Sequence, residues 1–369
     1  ADIDMMMGLL KAAEKPLMIV GGGGWTAEAC DDIRAFAQAN NIPTAASFRC
    51  QDIMDNNLSC YVGELGTSVS AALKARVLDS DLLLVVGARL GEMTTGGYSM
   101  VSVPRPSQTL IHIYPDPDEM GRVYQPDLPI CAGVDRFAGS VRDVTIGGDA
   151  TWAAWREAAR NDYLDNLKPN AGLPGAVDMA RVIHEIQARI GETGIVVSDA
   201  GNFSGWAQRF YRYSAYRSQV APTSGAMGYG VPAAIGARLA CPTRPVVCFA
   251  GDGGFMMSGQ EFATAVHHGI DPIIIVVNNN MFGTIRMHQE RDYPERVIAT
   301  ELTNPDFIAW AESFGALGAL VEKTKNFVPA FEAAMNARRI SLIEIRIDPE
   351  VITTNTTLSA VRNASLAKR

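Results

Sequence analysis

The chain has 369 residues, 47% hydrophobic and 20% charged, with a net charge of −8 and a pI of about 5.2. That length exceeds one ordinary core and implies about two or three domains. The acidic balance argues against nucleic acid or a membrane surface as the main partner. The opening, ADIDMMMGLLKAAEKP, lacks an initiator Met and lacks the basic-then-apolar order of a signal peptide; it reads as a helix inside a longer protein. PLMIVGGGG is a buried strand, followed by a helix from about Ala27 to Asn40 and a strand in NIPTAASF. SVSAALKARVLDS is helical, and DLLLVVGARL and TLIHIYPD are strands. Continuous apolar runs with helices between them indicate a parallel sheet covered on both faces. This first α/β domain is placed at 1–145.

The composition changes near Thr145, and 146–174 is taken as a linker. A second alternating series occupies 175–350. Its strands are GIVVSDAG, SQVAPTS, RPVVCFAGDGG, DPIIIVVNNN, GALGALVE and SLIEIRID, with helices near 230–240, 258–268, 305–314 and 326–338. Both domains are therefore expected to be doubly wound parallel sheets. The polar tail, 351–369, is expected to be partly mobile. No run of about 18 apolar residues suggests a membrane span. The six cysteines form no C-x-x-C pair and no zinc-spaced cluster, so reduced thiols in a cytoplasmic protein are expected.

Chemistry concentrates between Gly251 and Asn280. Asp252 leaves one predicted strand and Asn278-Asn279 leave the next, so all three reach the same edge of one parallel sheet. A carboxylate and a neutral amide oxygen suit a small hard cation that keeps other ligands, and the flanking glycines admit a bulky anion. Ser258 and Glu261 have capping-box spacing, which predicts a helix from near Gly259 to Gly269. Gly201-Asn202-Phe203 follows another strand to the same edge and adds N–H donors. In TSGAMGYGVPAAIGA the one large residue among small ones is Met227, either core filler or support for a ring. Gly21–Gly24 is not a G-x-G-x-x-G fingerprint. Arg89 follows a strand and reads as a phosphate contact or a solvated arginine; Asp116 reads as a ribose contact or a turn cap.

GDGGF followed by NNN, with TSGAMGYGVPAAIGA upstream, resembles the thiamine-diphosphate-dependent enzymes of the acetolactate synthase-like group. The resemblance covers nearly the whole chain: 1–145 is similar to that group's central six-stranded domain and 175–350 to its C-terminal cofactor domain. It implies Mg²⁺ bound by Asp252, the Asn279 side chain and the Met281 carbonyl, with Gly201, Asn202, Phe203, Gly251, Gly253, Gly254 and Gly283 about the diphosphate. It implies that Met227 bends the cofactor and that the Gly225 carbonyl meets its 4′-amino group. The implied activity is decarboxylation or carboligation of a 2-oxo acid, by ylid attack and an enamine intermediate, in a homodimer or tetramer. The central domain is left open between FAD, ADP and no ligand.

Three departures from the group stand out. The N-terminal pyrimidine-binding domain with its activating glutamate is not in this sequence, so the chain is expected to be an inactive fragment by itself. His288 stands where acetolactate synthases carry a tryptophan, and Phe203 where a histidine is common. An acyl-CoA decarboxylase, a C–C hydrolase and a non-catalytic nucleotide-binding scaffold therefore remain as alternatives. Arg286 and His288 are candidates to face substrate, through a carboxylate pair and a proton relay respectively.

Overall fold

A computed structural model, which describes residues 1–148 and 150–368, contains two six-stranded sheets. Every strand pairing in both is parallel. The first compact unit comprises residues 1–168 with 212–217. It runs α1 (Asp2–Ala12), β1 (Pro16–Val20), α2 (Ala27–Ala39), β2 (Thr44–Ser47), β3 (Tyr61–Leu65), α3 (Ala71–Asp79), β4 (Leu82–Val86), β5 (Thr109–Tyr114), β6 (Leu128–Cys131), α4 (Val134–Val141) and α5 (Ala153–Asn166). The strand order is β3-β2-β1-β4-β5-β6. Strands β1 and β4 are buried along their whole length, which is why they read as unbroken apolar runs. Two strands escaped the sequence reading. YVGEL in β3 is interrupted by a glycine and a glutamate, and β6 is an edge strand that tolerates Pro129. The segment expected as a linker contains α5, which packs on α3 and β3; its Arg160 donates to the carbonyls of Asn56, Asn57 and Tyr61.

The second unit comprises 169–211 and 218–369. It runs α6 (Met179–Ile190), β7 (Ile195–Ser198), α7 (Ser204–Phe210), β8 (Gln219–Val220), α8 (Gly230–Ala240), β9 (Val246–Gly251), α9 (Asp252–Ser258), α10 (Phe262–His268), β10 (Ile273–Asn278), α11 (Gly283–Asp292), α12 (Phe307–Ser313), β11 (Leu317–Val321), α13 (Phe327–Asn336), β12 (Ser341–Arg346) and α14 (Leu358–Leu366). All six expected strands are present, in the order β8-β7-β9-β10-β12-β11. The chain moves from β7 outward to β8 and then returns to place β9 on the other side of β7. The order thus reverses between β7 and β9, and ligands of open α/β sheets bind outside such a switch point.

Two expectations are corrected here. Ser258 caps no helix: α9 already starts at Asp252 with Gly251 as its N-cap, and Ser258 ends it with its hydroxyl buried and unpaired. Gly269 does terminate α10, in the left-handed conformation that glycine tolerates. The tail, in turn, carries α14, capped by the Thr357 hydroxyl on the Ala360 N–H and fixed to α11. All six cysteines are free thiols. Among the described residues no helix is long and apolar enough to cross a membrane.

Candidate functional site

A pocket opens at the β7–β9 switch point, within the second unit. Eleven of the residues expected from sequence line it: Gly201, Asn202 and Phe203 after β7, Met227 before α8, Gly251 at the end of β9, Asp252, Gly253 and Gly254 in α9, and Asn279, Met281 and Gly283 after β10. Gly225 does not; it lies in an exposed turn closed by its N–H on the Pro222 carbonyl. Strand pairing explains why Asp252 and Asn279 meet. Val277 is paired with Gly251, so the residues that follow each strand leave the sheet side by side.

Asp252 is 2% exposed. Burial pushes its carboxyl above the usual aspartate range, opposed by hydrogen bonds from the Asn304 amide and from the Gly253 and Asn280 backbone. No Lys, Arg or His lines the pocket, so this buried carboxylate faces amides and apolar walls with no basic partner. The donor set is one carboxylate with amide and carbonyl oxygens, and no three His, Cys, Asp or Glu side chains cluster for a metal among the described residues. That set is hard and incomplete, and fits a cation that draws its remaining oxygens from a phosphate and water.

The glycines are required by close approach. A Cβ on Gly253 would come 2.5 Å from Phe282 Cε1 and 3.2 Å from Leu302 Cδ1. The Phe203 ring lies over Gly201 and Gly251, where a Cβ would meet its Cε1 at 2.6 and 2.9 Å. Asn202 is tied to α11: its N–H donates to Thr284 Oγ1 at 3.0 Å, and that hydroxyl donates back to Asn202 Oδ1 at 3.0 Å.

Sequence reasoning missed several parts. Trp206, Phe282, Thr284, Ile285, Ile347, Val351 and Ile352 complete the walls. Asp199, 1% exposed, accepts from the N–H groups of Ala200, Gly228 and Tyr229, and so holds the segment carrying Met227; burial raises its carboxyl. Arg286 pairs with Glu290 at 3.2 Å, and neither it nor His288 lines the pocket. Glu290 also takes a two-armed contact from Arg362 of α14, which holds its carboxyl down to about 2. No local pattern signals a partner 72 residues away.

In the first unit, at the corresponding switch between β1 and β4, the Gly21 and Gly87 backbones approach closely. A Cβ on Gly87 would lie 2.5 Å from the Gly21 carbonyl oxygen and 2.6 Å from Val134. Arg89 is bound by Glu119 at 2.8 and 3.0 Å, and Asp116 caps a turn through the Asp118 N–H.

Two family models match the chain. The thiamine pyrophosphate enzyme central domain covers residues 3–140, and the thiamine pyrophosphate enzyme C-terminal TPP binding domain covers 199–345. Among curated relatives, the acetolactate synthase large subunit of Parasynechococcus marenigrum (strain WH8102) is 29% identical over 354 residues, 94% of this chain and 56% of that protein. The acetolactate synthase of Mycobacterium bovis is 30% identical over 339 residues, 88% of this chain and 54% of that protein. The acetolactate synthase isozyme 2 large subunit of Escherichia coli (strain K12) is 27% identical over 351 residues, 94% and 62%. The chain thus spans little more than half the length of these relatives.

Proposed function

Because the chain belongs to the thiamine pyrophosphate enzymes through its central and C-terminal domains, we propose that its second unit binds thiamine diphosphate through Mg²⁺, as part of an acetolactate synthase-like decarboxylase or carboligase of 2-oxo acids. One observation carries this reading. Asp252, buried and without a basic partner, shares a switch-point pocket with Asn279 and the Met281 backbone. In this reading Asp252, the Asn279 side-chain oxygen and the Met281 carbonyl hold the cation, and diphosphate oxygens add to its shell. When bound, thiamine diphosphate supplies the nucleophilic carbon and the electron sink that no side chain offers.

The remaining work belongs to this chain's residues. Met227, which lines the pocket, would back the rings, and the Gly225 carbonyl, in the exposed turn two residues before it, would accept a hydrogen bond from the cofactor's amino group. Gly201, Gly251, Gly253 and Gly254 let the Phe203 ring, Phe282 and Asp199 pack directly on the backbone at the edge where the diphosphate would lie. Phe282, Ile285, Val351 and Ile352 supply an apolar wall that excludes water. Phe203 offers no polar group, so the diphosphate would be held by the cation, backbone N–H groups and the neighbouring Asn202. The activating glutamate of this family sits on a pyrimidine-binding domain, the proposed partner of this chain, in a homodimer or tetramer. Support for FAD or another nucleotide in the first unit is weaker, since the Gly21 and Gly87 backbones touch and Glu119 occupies Arg89.

The reaction is tested by supplying a pyrimidine-binding domain, Mg²⁺ and thiamine diphosphate to the chain and scoring CO₂ release over a panel of 2-oxo acids. Release that disappears in Asp252→Ala is expected. No release from any substrate, with the cofactor measurably bound, would refute the reaction while leaving the cofactor site standing.

A further inference from the structure

We infer that Asn304 is the residue that positions the carboxylate and the asparagine loop of the metal site, an inference that rests on the Mg²⁺ reading above. Three side-chain oxygens converge on its amide nitrogen: Asp252 Oδ2 at 2.8 Å, Asn278 Oδ1 at 3.1 Å and Asn280 Oδ1 at 3.1 Å. An amide nitrogen has two hydrogens, so three acceptors share it and hold it in place. At Asp252 the other oxygen accepts the Gly253 N–H at 3.0 Å. Each carboxylate oxygen thus has at least one fixed donor, and the carboxylate plane is set before a cation arrives.

The same contact sorts the run of three asparagines. Asn278 Oδ1 accepts from Asn304 and from the Asn280 N–H at 2.9 Å, and Asn278 Nδ2 donates to the buried Glu344 at 2.8 Å. Both ends of that amide are engaged. Asn280 is turned to Asn304 as well. Asn279 is the member of the run that lines the pocket.

Asn304 is delivered by backbone pairing. The Phe282 N–H donates to the Thr300 carbonyl at 2.9 Å, the Leu302 N–H to the Asn280 carbonyl at 3.0 Å, and Met281 bridges Glu301 antiparallel. Residues 300–302 therefore lie beside the loop that carries Asn279 and Met281. Leu302 also borders Gly253. On the far side, Asp306 caps α12 through the Ile308 and Ala309 N–H groups, and Phe307 is fully buried against Phe255. Asn304 is thus anchored on both flanks and braces both halves of the cation site.

Partners that orient metal ligands typically contribute about 10- to 100-fold in metal affinity. The test titrates Mg²⁺ into the full chain with thiamine diphosphate present, and thiamine diphosphate at saturating Mg²⁺, for the native protein, Asn304→Ala, Asn304→Leu and Asp252→Ala. Both Asn304 variants should raise the Kd for Mg²⁺ by about 10- to 100-fold, and leave that for thiamine diphosphate at saturating Mg²⁺ within about threefold. Native Mg²⁺ affinity in both variants, with binding lost in Asp252→Ala, overturns the role of Asn304 alone. Native affinity in Asp252→Ala overturns the metal reading and this inference with it. Equal loss of both affinities together with a lowered Tm shows a general structural role and also overturns the inference.

Discussion

Replacing Arg362 with alanine should loosen α11, the helix whose first turn forms one side of the pocket. Glu290 is 0% exposed and receives four hydrogen bonds: from Arg362 at 2.6 and 2.8 Å, from Arg286 at 3.2 Å and from the Glu295 N–H at 3.1 Å. Arg362→Ala removes the two shortest, both charge-assisted, and leaves a buried carboxylate with one arginine. Breaking a buried ion pair from one side costs about 3–5 kcal/mol; the surviving Arg286 contact places this case near the lower end, at about 3 kcal/mol. Because α14 rests on α11 through this pair and through Ser365 on the Arg291 carbonyl at 2.6 Å, the loss should be local. Hydrogen exchange followed by mass spectrometry reads it directly. Peptides covering 283–292 and 358–366 should exchange about 100-fold faster, as about 3 kcal/mol requires, while β9 and β10 stay protected. Acceleration of less than about threefold in those peptides would refute the assignment of Arg362 as the anchor of α11.

The same pair predicts a pH dependence. The Glu290 carboxyl is held down from its ordinary 4.5 to about 2, so its stabilisation is complete above pH 4.5 and is lost as pH falls through about 2. Urea midpoints measured from pH 6 downward should show a decline below about pH 4.5 that is reduced in Glu290→Gln; parallel curves would contradict it. Gly253→Ala should weaken thiamine diphosphate binding and lower stability by about 1–3 kcal/mol, since its Cβ meets Phe282 at 2.5 Å. Phe282→Leu should restore part of the loss in chemical denaturation, and no interaction between the two substitutions would count against that contact.

The legible part of the site is the part written in neighbouring residues. VVCFAG and IIIVVN are buried on both faces of a parallel sheet, so they read as strands, and their ends fix where Asp252 and Asn279 emerge. The supports were not legible because they depend on distant partners. GTIRMHQERD has no apolar face, and α11 owes its place to Arg362. TNPDF reads as a turn before a helix, and nothing in it points to Asp252 until residues 300–302 pair with 280–282. The capping-box spacing at Ser258 misled for a related reason. The glycine-rich stretch after β9 looks like a turn, yet Asp252-Gly253-Gly254 already forms the first helical turn, with Gly251 as N-cap. The pairing of Arg286 with the buried Glu290 was not legible because the two lie one turn apart on a helix that the sequence did not reveal.

The central claim is that Asp252 with Asn279 anchors thiamine diphosphate through a divalent cation. Calorimetric titration of the full chain with thiamine diphosphate, with Mg²⁺ and then with EDTA, tests it most directly. The account predicts binding with Mg²⁺, none after chelation, and none in Asp252→Ala, with the variant's circular dichroism unchanged. Equal binding with and without Mg²⁺, or undiminished binding in Asp252→Ala, would contradict it.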